Sequence, residues 1–384
     1  MIELGISKDA LEKNISLARE KGIRIPTFAH MKNPAGSVGI QEKLKDVGLW
    51  DINPLNLFRV TWKNEPVESG GLFGAPNVLE LPKSITGVDA HVCALVGKWF
   101  PTGCHKVGAA FGCLVPRLVT GQFDASSQKA VWPSTGNYCR GGAFISALLG
   151  VHSIAILPQG MSKERFSWLE KVAGEIIATP GTESNVKEIF DKVWEIKGTR
   201  PDCMIFNQFE EMGNHLWHYE VTGNAIVEAF KNISKGNGRL AACCFTSGSA
   251  GTIGSGDYVK EIYPDAKIAV GEALQCPTIT VNGFGEHGIE GIGDKHIPWI
   301  HNLRNTDLAI AIDDSDCLSI LRLFNTPEGK RYLSEEAKVS PETVNDLSLL
   351  GISGIANVLC AIKTAKHYEL GSDDYVFTVL TDSA

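Results

Sequence analysis

The sequence has no run of about 18 apolar residues, the least that a membrane-spanning helix needs. Met1-Ile2-Glu3-Leu4 lacks the basic and apolar regions of a signal peptide, so a cytoplasmic location is the expectation. Positive charge is in short supply. The 36 Lys and Arg stand against 44 Asp and Glu, for a formal net charge of −8. That balance argues against nucleic acid or a membrane surface as a partner. The ten cysteines (Cys93, Cys104, Cys113, Cys139, Cys203, Cys243, Cys244, Cys276, Cys317 and Cys360) form no C-x-x-C pair. No close Cys/His spacing of the structural-zinc kind occurs, so no metal is expected and the thiols are read as reduced. Low-complexity tracts and internal repeats are also missing, which excludes solenoids and long disordered arms.

What remains is ordinary for a globular chain of 384 residues, with 43% hydrophobic and 21% charged content. Its 40 glycines suit many tight turns and close backbone approaches. Helical and strand-like patterns alternate. Ser7 is placed to cap a helix with Leu11, Ile15 and Ala18 on one face, ended by Gly22. Helical spacing recurs from Tyr138 to Gly150, from Ser162 to Gly174, and along Val186, Ile189, Val193 and Ile196. Between these lie apolar runs at 154–157, 175–178, 240–245, 268–270, 308–312 and 375–380, which read as buried parallel strands. The fold class is α/β, with mostly parallel sheets covered by helices on both faces. Residues 106–200 are expected to form a smaller lobe inserted into a larger one made of 50–105 and 201–384, with 1–49 as a helical N-terminal extension. Residues 322–345, charged and holding Pro327 and Pro341, read as a surface excursion.

Four short polar segments stand out. Pro101-Thr102-Gly103-Cys104-His105-Lys106 puts a lysine after a tight turn, followed by the apolar wall Val107 to Phe111. Burial there would disfavour the ammonium form and free a nucleophilic amine. Taken alone, Lys106 also fits a snorkelling surface residue. Ser134-Thr135-Gly136-Asn137 offers several donors on one loop, which suits a carboxylate, or a helix N-cap with no ligand. Gly248-Ser249-Ala250-Gly251-Thr252 follows the run 240–245, and its small residues would let backbone N–H groups converge on a phosphate. Thr381-Asp382-Ser383 follows the last run. Neighbours on a strand face opposite ways, so Asp382 and Ser383 point apart.

In this order the segments resemble the cofactor site of fold-type II pyridoxal-phosphate enzymes, in the cysteine synthase and cystathionine β-synthase branch. Pro101 to Lys106 is similar to the family's Pro-Thr-Gly-Ser-x-Lys, with Cys104 in place of the Ser and Phe100 where an Asn is common. Gly251-Thr252 matches the second half of the family's Gly-Thr-Gly-Gly-Thr loop, and Ala250 replaces its middle Gly. His287-Gly288-Ile289-Glu290-Gly291-Ile292-Gly293-Asp294-Lys295-His296-Ile297-Pro298 resembles the cysteine synthase segment His-x-Ile-x-Gly-Ile-Gly-x-x-x-Ile-Pro. Weaker likenesses lie at Asn53-Pro54-Leu55 and at Gly351-Ile352-Ser353-Gly354, so the resemblance covers about residues 50 to 384.

The resemblance implies a two-lobed fold like that of the tryptophan synthase β subunit and pyridoxal 5′-phosphate as cofactor. Lys106 is implied as the residue linked to the cofactor and as catalytic base. Asn137 would bond the ring 3′-oxygen, 248–252 (Gly248, Ser249, Ala250, Gly251 and Thr252) would hold the phosphate, and Ser383 would face the ring nitrogen. Ser134, Thr135, Gly136 and Asn137 would take the substrate carboxylate. Arg140 either binds a second acidic group of the substrate or makes a surface or inter-subunit ion pair. The implied reaction is β-replacement or β-elimination on cysteine, serine or an O-activated serine, through an aminoacrylate. Alternatives are an ammonia-lyase or cysteine desulfhydrase that stops at elimination, and a silent regulatory subunit on the same fold. A homodimer is implied as well.

Overall fold

Every one of the six apolar runs is a strand. The computed structural model describes residues 5–37, 39–65, 72–134, 136–181, 186–293 and 295–383. Its strands are β1 Val78–Leu81, β2 His91–Val96, β3 Lys129–Pro133, β4 Ser153–Pro158, β5 Glu175–Thr179, β6 Cys203–Ile205, β7 Arg239–Thr246, β8 Lys267–Ala273, β9 Leu308–Ile312 and β10 Asp374–Leu380. They form two sheets, ordered β5-β4-β3-β6 and β1-β2-β10-β7-β8-β9. All pairings are parallel except β1 with β2. Parallel strands buried on both faces explain why the runs are continuously apolar rather than alternating.

The sheets belong to two compact units. One comprises residues 1–61, 65–73 and 100–217; the other comprises 62–64, 74–99 and 218–384. These bounds differ from the expected lobes. The N-terminal residues join the unit that carries Lys106, and that unit runs on to Trp217 instead of ending near 200. Backbone packing accounts for the later boundary. The helix Met212–Trp217 lies directly on the helix Lys106–Val119. A Cβ on Gly112 would sit 2.2 Å from the Gly213 carbonyl, and one on Gly213 2.1 Å from that of Gly112.

The N-terminal helix spans Lys8–Glu20, as its pattern predicts, but its buried face is different. Ile15 is exposed and Asn14 is buried. Asn14 Nδ2 donates to the carbonyls of Leu118 and Phe123, and its Oδ1 accepts from Ala125 N–H. Burial of an amide is tolerated because each polar atom is bonded, and it fastens this helix to the end of Lys106–Val119. Ser7 makes no side-chain cap; its backbone N–H bonds to Thr120 instead. The helix Lys163–Val172 is capped by Ser162, and Val186–Thr199 buries Ile189, Val193 and Ile196 against β3 and β4.

In the second unit, residues 322–345 are not a mere surface excursion. Pro327 and Pro341 open short helices behind the N-caps Thr326 and Ser340. Phe324, Leu333, Val339 and Val344 are buried in the unit's core. Among the described residues no single helix is long and apolar enough to cross a membrane.

Candidate active site

In each sheet the candidate residues leave the C-terminal ends of adjacent parallel strands, where open α/β sheets place their ligands. In the first unit, Ser134 follows β3 and Gln208 lies shortly after β6, its neighbour. In the second, the glycine loop follows β7 and Ser383 follows β10, again neighbours.

Lys106 is the first residue of its helix. The turn before it carries two successive left-handed residues, Thr102 at φ 66° and Gly103 at φ 68°. Glycine adopts that region freely, whereas a β-branched threonine there stores strain of about 1–3 kcal/mol. Burial holds the Lys106 amine below the ordinary lysine pKa, opposed by the nearby Cys104 and Cys113. Lys106 Nζ donates to Gln208 Oε1 at 3.2 Å. Gln208 is buried, and Asn214 Nδ2 bonds to its carbonyl. His105, beside the lysine, is fully buried; burial first and the Lys106 charge second lower its pKa to about 3.

Ser134 lies within the same group. Gln208 Nε2 is 3.5 Å from Ser134 Oγ, which also accepts from Gly136 N–H at 3.2 Å. Thr135 lies outside the described residues. Asn137 opens the helix Asn137–Leu148, so the loop runs into a helix N-terminus, favourable for a carboxylate. The next turn of that helix rests on the lysine: a Cβ on Gly141 would lie 3.0 Å from the Lys106 carbonyl. Arg140 donates from Nη2 to the Thr102 carbonyl at 2.6 Å, and its guanidinium lies over the ring of Trp50.

In the other unit, a Cβ on Gly248 would strike the Gly291 carbonyl at 2.5 Å, so only glycine fits there. Ala250 is left-handed at φ 61°, the conformation that glycine supplies without cost. Ser249 and Ala250 are buried. Gly251 and Thr252 lead into the helix Ile253–Ile262. The segment resembling the cysteine synthase pattern packs on this loop through Gly293 N–H to the Ser247 carbonyl, 2.9 Å. Its Asp294 lies outside the described residues. A cavity beside the loop is lined by Gly248, Glu272, Cys276, Thr278, Gly293 and His296. Glu272 is buried there and accepts from the N–H groups of Ile279 and Thr280. Past β10, a Cβ on Gly351 would lie 2.5 Å from Asp382 Oδ1, so that carboxylate points at the start of the helix Ile352–His367. Ser383, next along, is half-buried.

Gln208 is the residue that sequence reasoning missed. The amide pair Asn207-Gln208 directly after the apolar stretch 203–206 was its only signal. Among the described residues no group of three or more His, Cys, Asp or Glu could hold a metal ion.

The family described as pyridoxal-phosphate dependent enzyme matches residues 90–331. A probable cysteine synthase of Bacillus subtilis is 30% identical over 284 residues, 74% of this chain and 83% of that one. This chain is a pyridoxal-phosphate dependent enzyme of the cysteine synthase family. Among solved structures, a hydrogen sulfide-producing enzyme from Fusobacterium nucleatum has a TM-score of 0.64 at 25% identity, covering 77% of this chain and 81% of that one. An O-acetylserine sulfhydrylase from Entamoeba histolytica shares the fold, with a TM-score of 0.66 at 20% identity, covering 81% and 86%. The cofactor of this enzyme is pyridoxal 5′-phosphate. Each unit, taken by itself, carries residues suited to part of that group: Lys106 has a pKa lowered by burial, and the loop Gly248 to Thr252 has a backbone that is bare at Gly248 and left-handed at Ala250.

Proposed function

We propose that this enzyme carries out β-replacement on a small amino acid, with cysteine, serine or an O-activated serine as substrate. The observation that carries the reading is the Lys106 amine, depressed in pKa by burial and held on Gln208 within reach of the Ser134 loop. When bound, pyridoxal phosphate withdraws electrons from the substrate Cα and so eases departure of the β-substituent.

The chain supplies the rest. Lys106 is the residue that would hold the cofactor, and its amine, when free, would take the Cα proton of a substrate seated beside it. A lowered pKa keeps enough of it neutral to act as a base near pH 7. Ser134, Thr135, Gly136 and Asn137 bind the substrate carboxylate, and Asn137 also bonds the ring oxygen. Gln208, placed between Lys106 and Ser134, orients both. On the loop, the N–H groups of Ile253, Gly254 and Ser255 are taken by the carbonyls of Ala250, Gly251 and Thr252. The residues before them, from Gly248 to Thr252, stand at the N-terminus of the helix Ile253–Ile262, where a phosphate would be held. Asp382 is directed at Gly351, which leaves the Ser383 hydroxyl for the ring nitrogen. A neutral partner there makes a weaker electron sink, suited to chemistry at Cβ.

A homodimer acting in the cytoplasm completes the proposal, resting on the family resemblance; sedimentation equilibrium checks the first part. The reaction is tested by supplying O-acetylserine with sulfide, and cysteine alone, to the cofactor-loaded protein. Cysteine formation from the first pair supports replacement. Pyruvate, ammonia and the departed group (acetate from O-acetylserine, sulfide from cysteine), with no cysteine formed from the first pair, would assign a lyase that stops at elimination.

A further inference from the structure

We propose that Arg140 is a positioning residue for Lys106: its guanidinium fixes the Thr102 carbonyl and thereby holds the turn from which the lysine helix starts. The proposal rests on the reading that Lys106 carries the cofactor. It replaces the expectation that Arg140 binds a second acidic group of the substrate.

Thr102 is completely buried, β-branched and left-handed, with φ 66° and ψ 6°. Gly103 follows at φ 68°. A threonine relaxes from that conformation unless its surroundings determine it. Arg140 supplies a determinant by donating from Nη2 to the Thr102 carbonyl at 2.6 Å, a charge-assisted bond. The guanidinium also has an aromatic contact. It lies 5.6 Å from the ring centroid of Trp50, and Trp50 meets Trp168 edge-on at 5.8 Å. Trp50 also walls Gly103, where a Cβ would be 3.5 Å from its Cζ2. One residue further on, Gly141 lies against the Lys106 backbone. The same helix turn thus bears on both ends of the segment Thr102 to Lys106.

The test uses full-length protein stripped of cofactor and resupplied with pyridoxal phosphate. Uptake is followed by visible absorbance across pH, and attachment by reductive trapping and the mass of the Lys106 peptide. Arg140→Met should slow uptake about tenfold or more and raise its pH midpoint, because a displaced amine leaves its apolar surroundings. Arg140→Lys should fall between, keeping charge without the planar fork. Adding Thr102→Gly to Arg140→Met should bring rate and midpoint back to within about threefold of the parent, since glycine holds the left-handed turn unaided. A purely structural arginine would change the folded fraction and leave the midpoint of the folded protein alone. Parental uptake and midpoint in Arg140→Met would overturn the proposal. So would a defect confined to a higher KM for substrates with a second acidic group. If Arg140→Met is not recovered folded, the double variant decides: its failure to fold or to take up cofactor also overturns the proposal. Lys106→Ala is the separate control. Trapping at another lysine in that variant would sink the cofactor reading itself, whatever Arg140 does.

Discussion

Gln208 accepts a hydrogen bond from the Lys106 amine at 3.2 Å while its own amide nitrogen lies 3.5 Å from Ser134 Oγ. One buried side chain therefore links Lys106 to the Ser134 loop, the one expected to hold the substrate. Gln208→Leu keeps the bulk and removes both contacts. Cofactor should remain attached, while kcat/KM falls at least about tenfold, or about 1.4 kcal/mol of transition-state stabilisation. Steady-state kinetics with an amino-acid substrate check this; unchanged kcat/KM would remove Gln208 from the site.

Lys106→Ala should abolish turnover and the visible absorbance of covalently held cofactor. Full activity in this variant would end the proposed mechanism.

His105 gives a pH dependence whose sign follows from its depressed pKa. An unfolded histidine titrates near 6.5, whereas buried His105 stays neutral down to about 3. Its contribution to stability is complete above about pH 6.5 and falls below it by about 1.4 kcal/mol per pH unit. Urea unfolding of the apoprotein should show about 2 kcal/mol less stability at pH 5 than at pH 7 from this group, and His105→Asn should flatten that slope. Equal slopes in the two proteins would show that other groups govern the acid limb.

Ala250 occupies a left-handed position. Ala250→Gly should stabilise the apoprotein by up to about 1 kcal/mol, the relief of strain less the added chain entropy of glycine. A drop in the urea midpoint would mean that the alanine methyl contributes packing worth more than the strain.

Ser383→Asp should retain the cofactor yet lower β-replacement, because an anion raises the pKa of a facing ring nitrogen. Ser383→Ala should do less, losing one hydrogen bond worth about 0.5–1.5 kcal/mol. The comparison is made by turnover and by the absorption spectrum at fixed pH. If Asp382→Ala alters the spectrum and Ser383→Asp does not, Asp382 is the ring partner.

Six of the ten strands among the described residues were legible because parallel strands buried on both faces advertise themselves as unbroken apolar runs; β1, β2, β3 and β6 were not among the runs read. The lysine turn and glycine loop were legible because bare backbone demands small residues at fixed offsets. Gln208 was not, since a single amide after a strand looks like any loop residue until the fold sets it beside Lys106. The burial of Asn14 was hidden for a related reason: periodicity ranks residues by apolarity and cannot foresee that three backbone groups will satisfy one amide. Residues 322–345 misled through composition. Prolines that look like breakers stand at first helical positions, behind Thr326 and Ser340.

The backbone contact of Gly112 with Gly213 leaves no room for a single methyl between two helices. One helix begins with Lys106, and the other contains Asn214, which is bonded to the Gln208 carbonyl. These segments cannot slide independently, so Lys106 and Gln208 move as one body. A mutational scan scored on activity would therefore flag Gly112 and Gly213 as strongly as residues lining the site, although neither has a side chain to offer the chemistry.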